Sequence, residues 1–216
     1  GISEIADAAC SSLPNDIAAL GFTDPPYYDA IPYANLSDFF YVWLKSMLGE
    51  YYKDLFYQHE APKNTEIVQL AERNILYSFK TRSFFEERMR LAMAELRRVT
   101  MPNGIMTVVF AHKTTTGWES LLNSVLDAGW VITGSWPIDT ELQTRYKAIG
   151  TASLASSVHL VCRPRENPDG SLRTDDIGDW RDVLNELPKR IHEWMPHLAH
   201  EGVVGADAIF ACLGPA

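Results

Sequence analysis

The sequence predicts an α/β layer fold with a mostly parallel sheet. Short apolar runs rich in β-branched residues alternate with amphipathic segments that open on capping residues and stop at glycine. Of 216 residues, 46% are hydrophobic and 22% charged, enough apolar chain for one buried core and too much for bulk disorder. No stretch approaches the roughly 18 apolar residues of a membrane span.

The elements follow in order. Residues 17–23 form an apolar run stopped by Asp24-Pro25-Pro26. Two successive prolines end any regular element, so the run reads as a strand closing on a tight turn. Asn35 is placed to cap a helix from about Leu36 to Leu48, with Leu36, Phe39, Phe40, Trp43, Leu44 and Met47 at helical spacing and Gly49 to end it. Residues 50–80 are tyrosine-rich and irregular, an insert of short helices and loops.

Ser83-Phe84-Phe85-Glu86 has the form of a capping box, and Phe85, Met89, Ala92, Leu96 and Val99 follow on one helix face. Pro102-Asn103-Gly104 reads as a turn, and Ile105 to Phe110 as a buried strand. Thr116-Gly117-Trp118-Glu119 is a second box, opening a helix that stops at Gly129. Trp130 to Ser135 and Ser157 to Cys162 are further strands. They lie too close in sequence for a helical crossover, so the span between them reads as a long hairpin connection with one strand antiparallel. After the Asn167–Gly170 turn, a helical tail begins near Asp179, is interrupted at Pro188 and resumes through Ile191, Trp194 and Leu198. The domain reading is 1–166 for the α/β part and 167–216 for a helical extension that looks cut partway.

Charge is segregated along the chain. The net charge is −9, which opposes holding nucleic acid by bulk electrostatics. Residues 79–100 nevertheless carry six bases against three acids, either a solvated helix face or a phosphate-facing one. Residues 167–216 carry nine acids against four bases. Cys10, Cys162 and Cys212 are far apart, with no C-x-x-C pair, so neither a zinc ribbon nor a disulfide framework is encoded. A reducing, cytoplasmic setting is the expectation. The chain opens on Gly1 without a basic, apolar leader, and reads as an excised segment rather than a secretory precursor. His192, His197 and His200 do not share one helix face, so no metal site is expected.

Asp24-Pro25-Pro26-Tyr27 is the one specific signal. Its chance occurrence in a chain of this length is on the order of one in a thousand. A Pro-Pro turn with a capping Asp also occurs in ordinary loops. The chemistry of the four residues suits an exocyclic amine, whose lone pair is conjugated with its ring. Asp24 can accept one N–H, and the carbonyl of Pro25, fixed by the Pro-Pro turn, can accept the other. Two acceptors favour a nitrogen rehybridising toward sp³ as it attacks, which stabilises charge as it develops. Tyr27 offers a face for a flipped base.

With these residues the chain resembles the S-adenosylmethionine-dependent amino-methyltransferases, whose signature Asp24–Tyr27 matches. The run Thr23–Lys45 looks like the large adenine-specific DNA methylases that carry a zinc ribbon. Ala155–Arg165 and Gly205–Ala216 look like later segments of the same proteins. The resemblance implies a Rossmann-like class I methyltransferase sheet, mostly parallel with one antiparallel strand, and incomplete at its N-terminal half. It implies S-adenosyl-L-methionine as cofactor, DNA as substrate, and Asp24, Pro25, Pro26 and Tyr27 as the catalytic loop. Ala6-Asp7-Ala8 resembles the segment that holds the cofactor's adenine, with Asp7 as acceptor and Ala8 beside it. Tyr28, Asp29 and Tyr33 would shape the base pocket, and His112 and Lys113, after a strand at the same sheet edge, would touch base and phosphate. A polar strand end is the blander reading of His112-Lys113, and Arg145 and Lys147 are equally a solvated loop.

The glycine-rich turn of that family and its zinc ribbon are absent from the sequence. The chain then looks like the target-side part of a larger methylase, partnered by the N-terminal remainder of the same protein. By itself it would be inactive. A non-catalytic module that keeps the fold and binds a partner or nucleic acid is the alternative. Self-association through an exposed sheet edge is a third expectation.

Overall fold

The computed structural model describes residues 6–112, 114–139, 156–167 and 179–201, with 169, 171, 173, 203, 208, 211 and 212. Its elements are β1 (Ala18–Thr23), α1 (Tyr33–Leu48), a 3₁₀ turn (Ile75–Tyr77), α2 (Arg82–Val99), β2 (Thr100–Phe110), α3 (Thr115–Asp127), β3 (Trp130–Asp139), β4 (Ser156–Pro164) and α4 (Trp180–His200). They divide into two compact units, residues 26–85 forming one and residues 1–25 with 86–216 the other. No described helix is long and apolar enough to cross a membrane.

The larger unit holds a four-stranded sheet in the order β1-β2-β4-β3. β1 pairs parallel with β2, whereas β4 pairs antiparallel with both β2 and β3. The expected mostly parallel sheet is thereby corrected, because two of its three ladders are antiparallel. The cause is position: β4 alone runs backwards, and lying inside the sheet it reverses the ladder on either side. β3 and β4 pair antiparallel, as the sequence suggests. Pro102-Asn103-Gly104 is not a turn between elements. Thr100 pairs with Ala18 and Ile105 with Leu20, so the three residues ride an irregularity inside β2.

One face of this sheet is dry. Met106, Val108, Phe110, Val158, Leu160 and Cys162 are fully buried, as are Met89 and Met93 of α2 and Trp118, Leu121 and Val125 of α3. Trp118 meets Phe110 edge-on at 5.0 Å, and Trp130 of β3 donates its indole N–H to the carbonyl of Met93 at 3.0 Å. α2 and α3 are tied through Ser120, whose hydroxyl donates to Glu86 at 2.8 Å. On the opposite face Leu20, Phe22 and Trp136 are each about two-thirds exposed.

Helix starts differ from expectation for local reasons. Thr81, not Ser83, accepts from the N–H of Phe84, and Thr114, not Thr116, accepts from that of Gly117. In the first case α2 begins at Arg82, so Ser83 lies inside the helix. α1 starts at Tyr33, two residues before Asn35, and Gly49 ends it with ordinary right-handed φ. Gly129 ends α3 in the left-handed region (φ 85°), where a side chain is strained. α4 is capped by Asp179 and runs through Pro188 and Pro196 without the expected interruption. Its Leu198 packs with Ala211 and Cys212.

Candidate active site

The larger unit contributes the first half of the Asp-Pro-Pro-Tyr motif. β1 delivers it: Thr23 pairs with Val108, so Asp24 leaves the sheet one residue past that pair, at the carboxyl edge of two parallel strands. Such edges are where open α/β sheets place ligands. Asp24 is exposed and Pro25 buried. Neither the Asp24 carboxylate nor the Pro25 carbonyl has a hydrogen-bond partner among the described residues. Asp24 thus carries an exposed carboxylate beside a buried proline.

His112 follows β2 at the same edge, but its ring is used by the fold. It is 7% exposed and stacks near Phe110. Its Nδ1 accepts the N–H of Thr114 at 3.2 Å and lies 3.0 Å from the Thr114 hydroxyl. Its carbonyl accepts the indole N–H of Trp118 at 3.1 Å. A Cβ on Gly117 would lie 2.3 Å from Nδ1, so only glycine lets the first turn of α3 close over this imidazole. The arrangement is a packed strand-end histidine. Lys113, Arg145 and Lys147 lie outside the described residues.

Asp7 and Ala8 sit in an exposed turn closed by the N–H of Cys10 on the carbonyl of Asp7 at 2.9 Å. The Asp7 carboxylate accepts from Ala9 N–H at 2.9 Å and pairs with Arg88 at 2.9 Å. The Ala9 bond above all, with Arg88, holds its pKa below the ordinary aspartate value. This is a cap-like carboxylate, engaged by its own chain.

The basic run of α2 is engaged as well. Arg88 pairs with Asp7, Arg90 with Glu87, Arg97 with Glu166 and Arg98 with Glu95. Arg98 also reaches Asn15 and the Leu13 carbonyl, tying the segment before β1 to α2. Arg88, Arg90 and Arg98 remain partly exposed while paired.

The smaller unit carries the second half of the motif in a tight turn. Tyr28 N–H donates to the Pro26 carbonyl at 3.1 Å, and Ala30 N–H to that of Tyr27 at 2.9 Å. Tyr28 takes φ 50°, the left-handed region, which a residue with a Cβ adopts only when its surroundings impose it. The surroundings are visible. Gln69 N–H donates to the Tyr28 carbonyl at 3.0 Å, and the Tyr28 ring meets Phe85 edge-on at 5.1 Å. Asp29 pairs with Arg73 at 2.7 Å. Tyr33 opens α1 and is 54% exposed.

Residues that sequence reasoning missed hold this turn. Glu66 accepts the N–H of Ala34 at 2.9 Å, capping α1 from outside the helix. Its carbonyl accepts from Lys80 at 3.1 Å, and its second carboxylate oxygen lies 3.7 Å from the same ammonium. Lys80, counted with the basic helix from sequence, precedes α2 and is completely buried between the rings of Tyr77 and Phe84. Burial pushes its pKa down, and Glu66 opposes the shift. No periodicity marks this pair, because both partners lie outside helix and strand. A cavity of about 340 Å³ lined by Gln58, Glu60, Lys63, Asn64, Thr65 and Tyr77 also belongs to this unit. No residue expected from sequence lines it.

Among the described residues no group of three His, Cys, Asp or Glu gathers as a metal site would require. No protein-family model matches the chain, and no curated protein matches its sequence. Strand edge, motif and turn therefore carry the functional reading.

Proposed function

We propose that this chain recognises the exocyclic amino group of a DNA base, adenine N6 first, as the target side of a Rossmann-like, S-adenosylmethionine-dependent methyltransferase. The observation that carries the proposal is the pair of unshared acceptors at the carboxyl edge of β1. Asp24 is exposed, Pro25 is buried, and both acceptors are without a partner among the described residues.

The chemistry assigned to the residues is limited to the amine. One N–H of the base donates to Asp24 and the other to the Pro25 carbonyl. Both bonds pull electron density off the ring and toward a tetrahedral nitrogen, which makes the lone pair available. Tyr27 offers its ring to an unstacked base.

The residues expected to hold the cofactor do not fit that task. Asp7 is already bound by the Ala9 N–H and Arg88. This favours, as second reading, a non-catalytic module that keeps the amine pocket for binding. Methyl transfer by the full gene product containing this sequence separates the two. Label from S-adenosylmethionine should appear as N6-methyladenine in duplex DNA. Absence of methylated base with DNA of varied sequence supports the binding module instead.

A further inference from the structure

Helix α1 is amphipathic in the reverse sense. At 100° per residue, Leu36, Phe39, Phe40, Trp43 and Met47 occupy one stripe about 100° wide. All five are 58–70% exposed. The opposite side carries Ala34, Asp38, Tyr41 and Lys45, and that side packs on the helix's own unit. Asp38 pairs with Lys63 at 2.7 Å and accepts the Ala61 N–H at 2.9 Å. Tyr41 donates to the Gln58 carbonyl at 2.9 Å, and Lys45 donates to the same oxygen. The helix is held by its polar side and presents its apolar side outward.

We propose that the α1 stripe is the interface of a homodimer, with α1 of a second copy packed across it. Two features of the stripe select that occupant. First, it carries no charge. Asp38 and Lys45 are the only charged residues of α1, and both are turned inward. Two copies can therefore meet here without like-charge contact, although each carries a net −9. The missing cations also disfavour a phosphate backbone or an anionic lipid surface. Second, the area suffices. Five side chains of this size, three of them aromatic, present about 700 Å² per copy, close to the ~800 Å² per partner of a stable interface. Aromatic and Met side chains are the types enriched at such interfaces. The stripe belongs to the smaller unit and shares no residue with β1.

The test is sedimentation of the purified chain over a hundredfold range of concentration. The wild type should convert from monomer to dimer and go no further, because a two-fold contact closes on itself. The double variant Phe40→Glu/Trp43→Glu should stay monomeric throughout. Val42→Glu is the control: Val42 is 61% exposed but lies off the stripe, and this variant should dimerise as the wild type does. A wild type monomeric at every concentration overturns the proposal without reference to any variant. So does a double variant that still dimerises, or an assembly that grows beyond two.

Discussion

Helices α1 and α2 have the same kind of sequence and opposite fates. Each spaces apolar residues at helical period over 16 or 18 residues. α2 buries Met89, Ala92, Met93 and Val99 within the larger unit's core. α1 buries only Ala34 and leaves its rings and methionine in solvent. Periodicity shows that a helix has an apolar face. What meets that face is decided by the rest of the chain: α2 has Trp130 of the sheet and Ser120 of α3 bonded to it, whereas α1 has a loop whose carbonyls and charges engage its polar side.

The sharpest way to break the comparison uses one substitution in both places. Met89→Ala should cost about 2–5 kcal/mol, the range for a buried methionine leaving a cavity. Met47→Ala, at 70% exposure, should stay within about 0.5 kcal/mol in dilute, monomeric protein. Urea unfolding of both variants measures the difference. Equal costs would mean that α1 is buried against something in the free chain.

A second prediction sharpens the account of the larger unit. Gly117→Ala drives a methyl into the His112 ring and should destabilise by about 1–3 kcal/mol. This variant isolates packing better than Trp118→Ala, which removes the indole bond to the His112 carbonyl along with the ring. If Gly117→Ala is neutral in thermal unfolding, His112 is mobile, and its assignment as a packed residue fails.

The smallest effect concerns acid. Arg98, followed by the Ser11 N–H, lowers the pKa of Glu95 from 4.5 to about 2. The unfolded carboxylate binds its proton first as pH falls, so stability from this group is full above 4.5 and is lost progressively toward 2. Glu95→Gln should lower stability at pH 7 and flatten its pH dependence between those values. An unchanged slope would show that the tie between α2 and the segment before β1 does not form.

The elements of the larger unit are largely legible in the sequence, because strand runs, the α2 stripe and the Gly129 stop are local patterns. Three features are not. The balance of strand directions escapes a linear reading because order within a sheet is non-local, and one reversed strand placed inside converts two ladders. The Ser83 box misleads because α2 already begins at Arg82, where the Thr81 hydroxyl accepts the Phe84 N–H and leaves Ser83 inside the helix. The support of the motif turn is invisible because Glu66, Gln69 and Lys80 sit in irregular chain and meet only on folding. The motif itself is legible as spacing. Its exposure at Asp24 and its burial at Pro25 are not.

The central claim is that Asp24 accepts a hydrogen bond from the amino group being modified. The most direct measurement is tritium transfer from S-adenosylmethionine to duplex DNA by the full gene product, wild type beside Asp24→Ala, with the labelled base identified after digestion. The account predicts label on adenine N6 in the wild type and at least about a hundredfold less with Asp24→Ala, the scale of losing one catalytic hydrogen-bond group. No label in the wild type, or equal label in both, would contradict it.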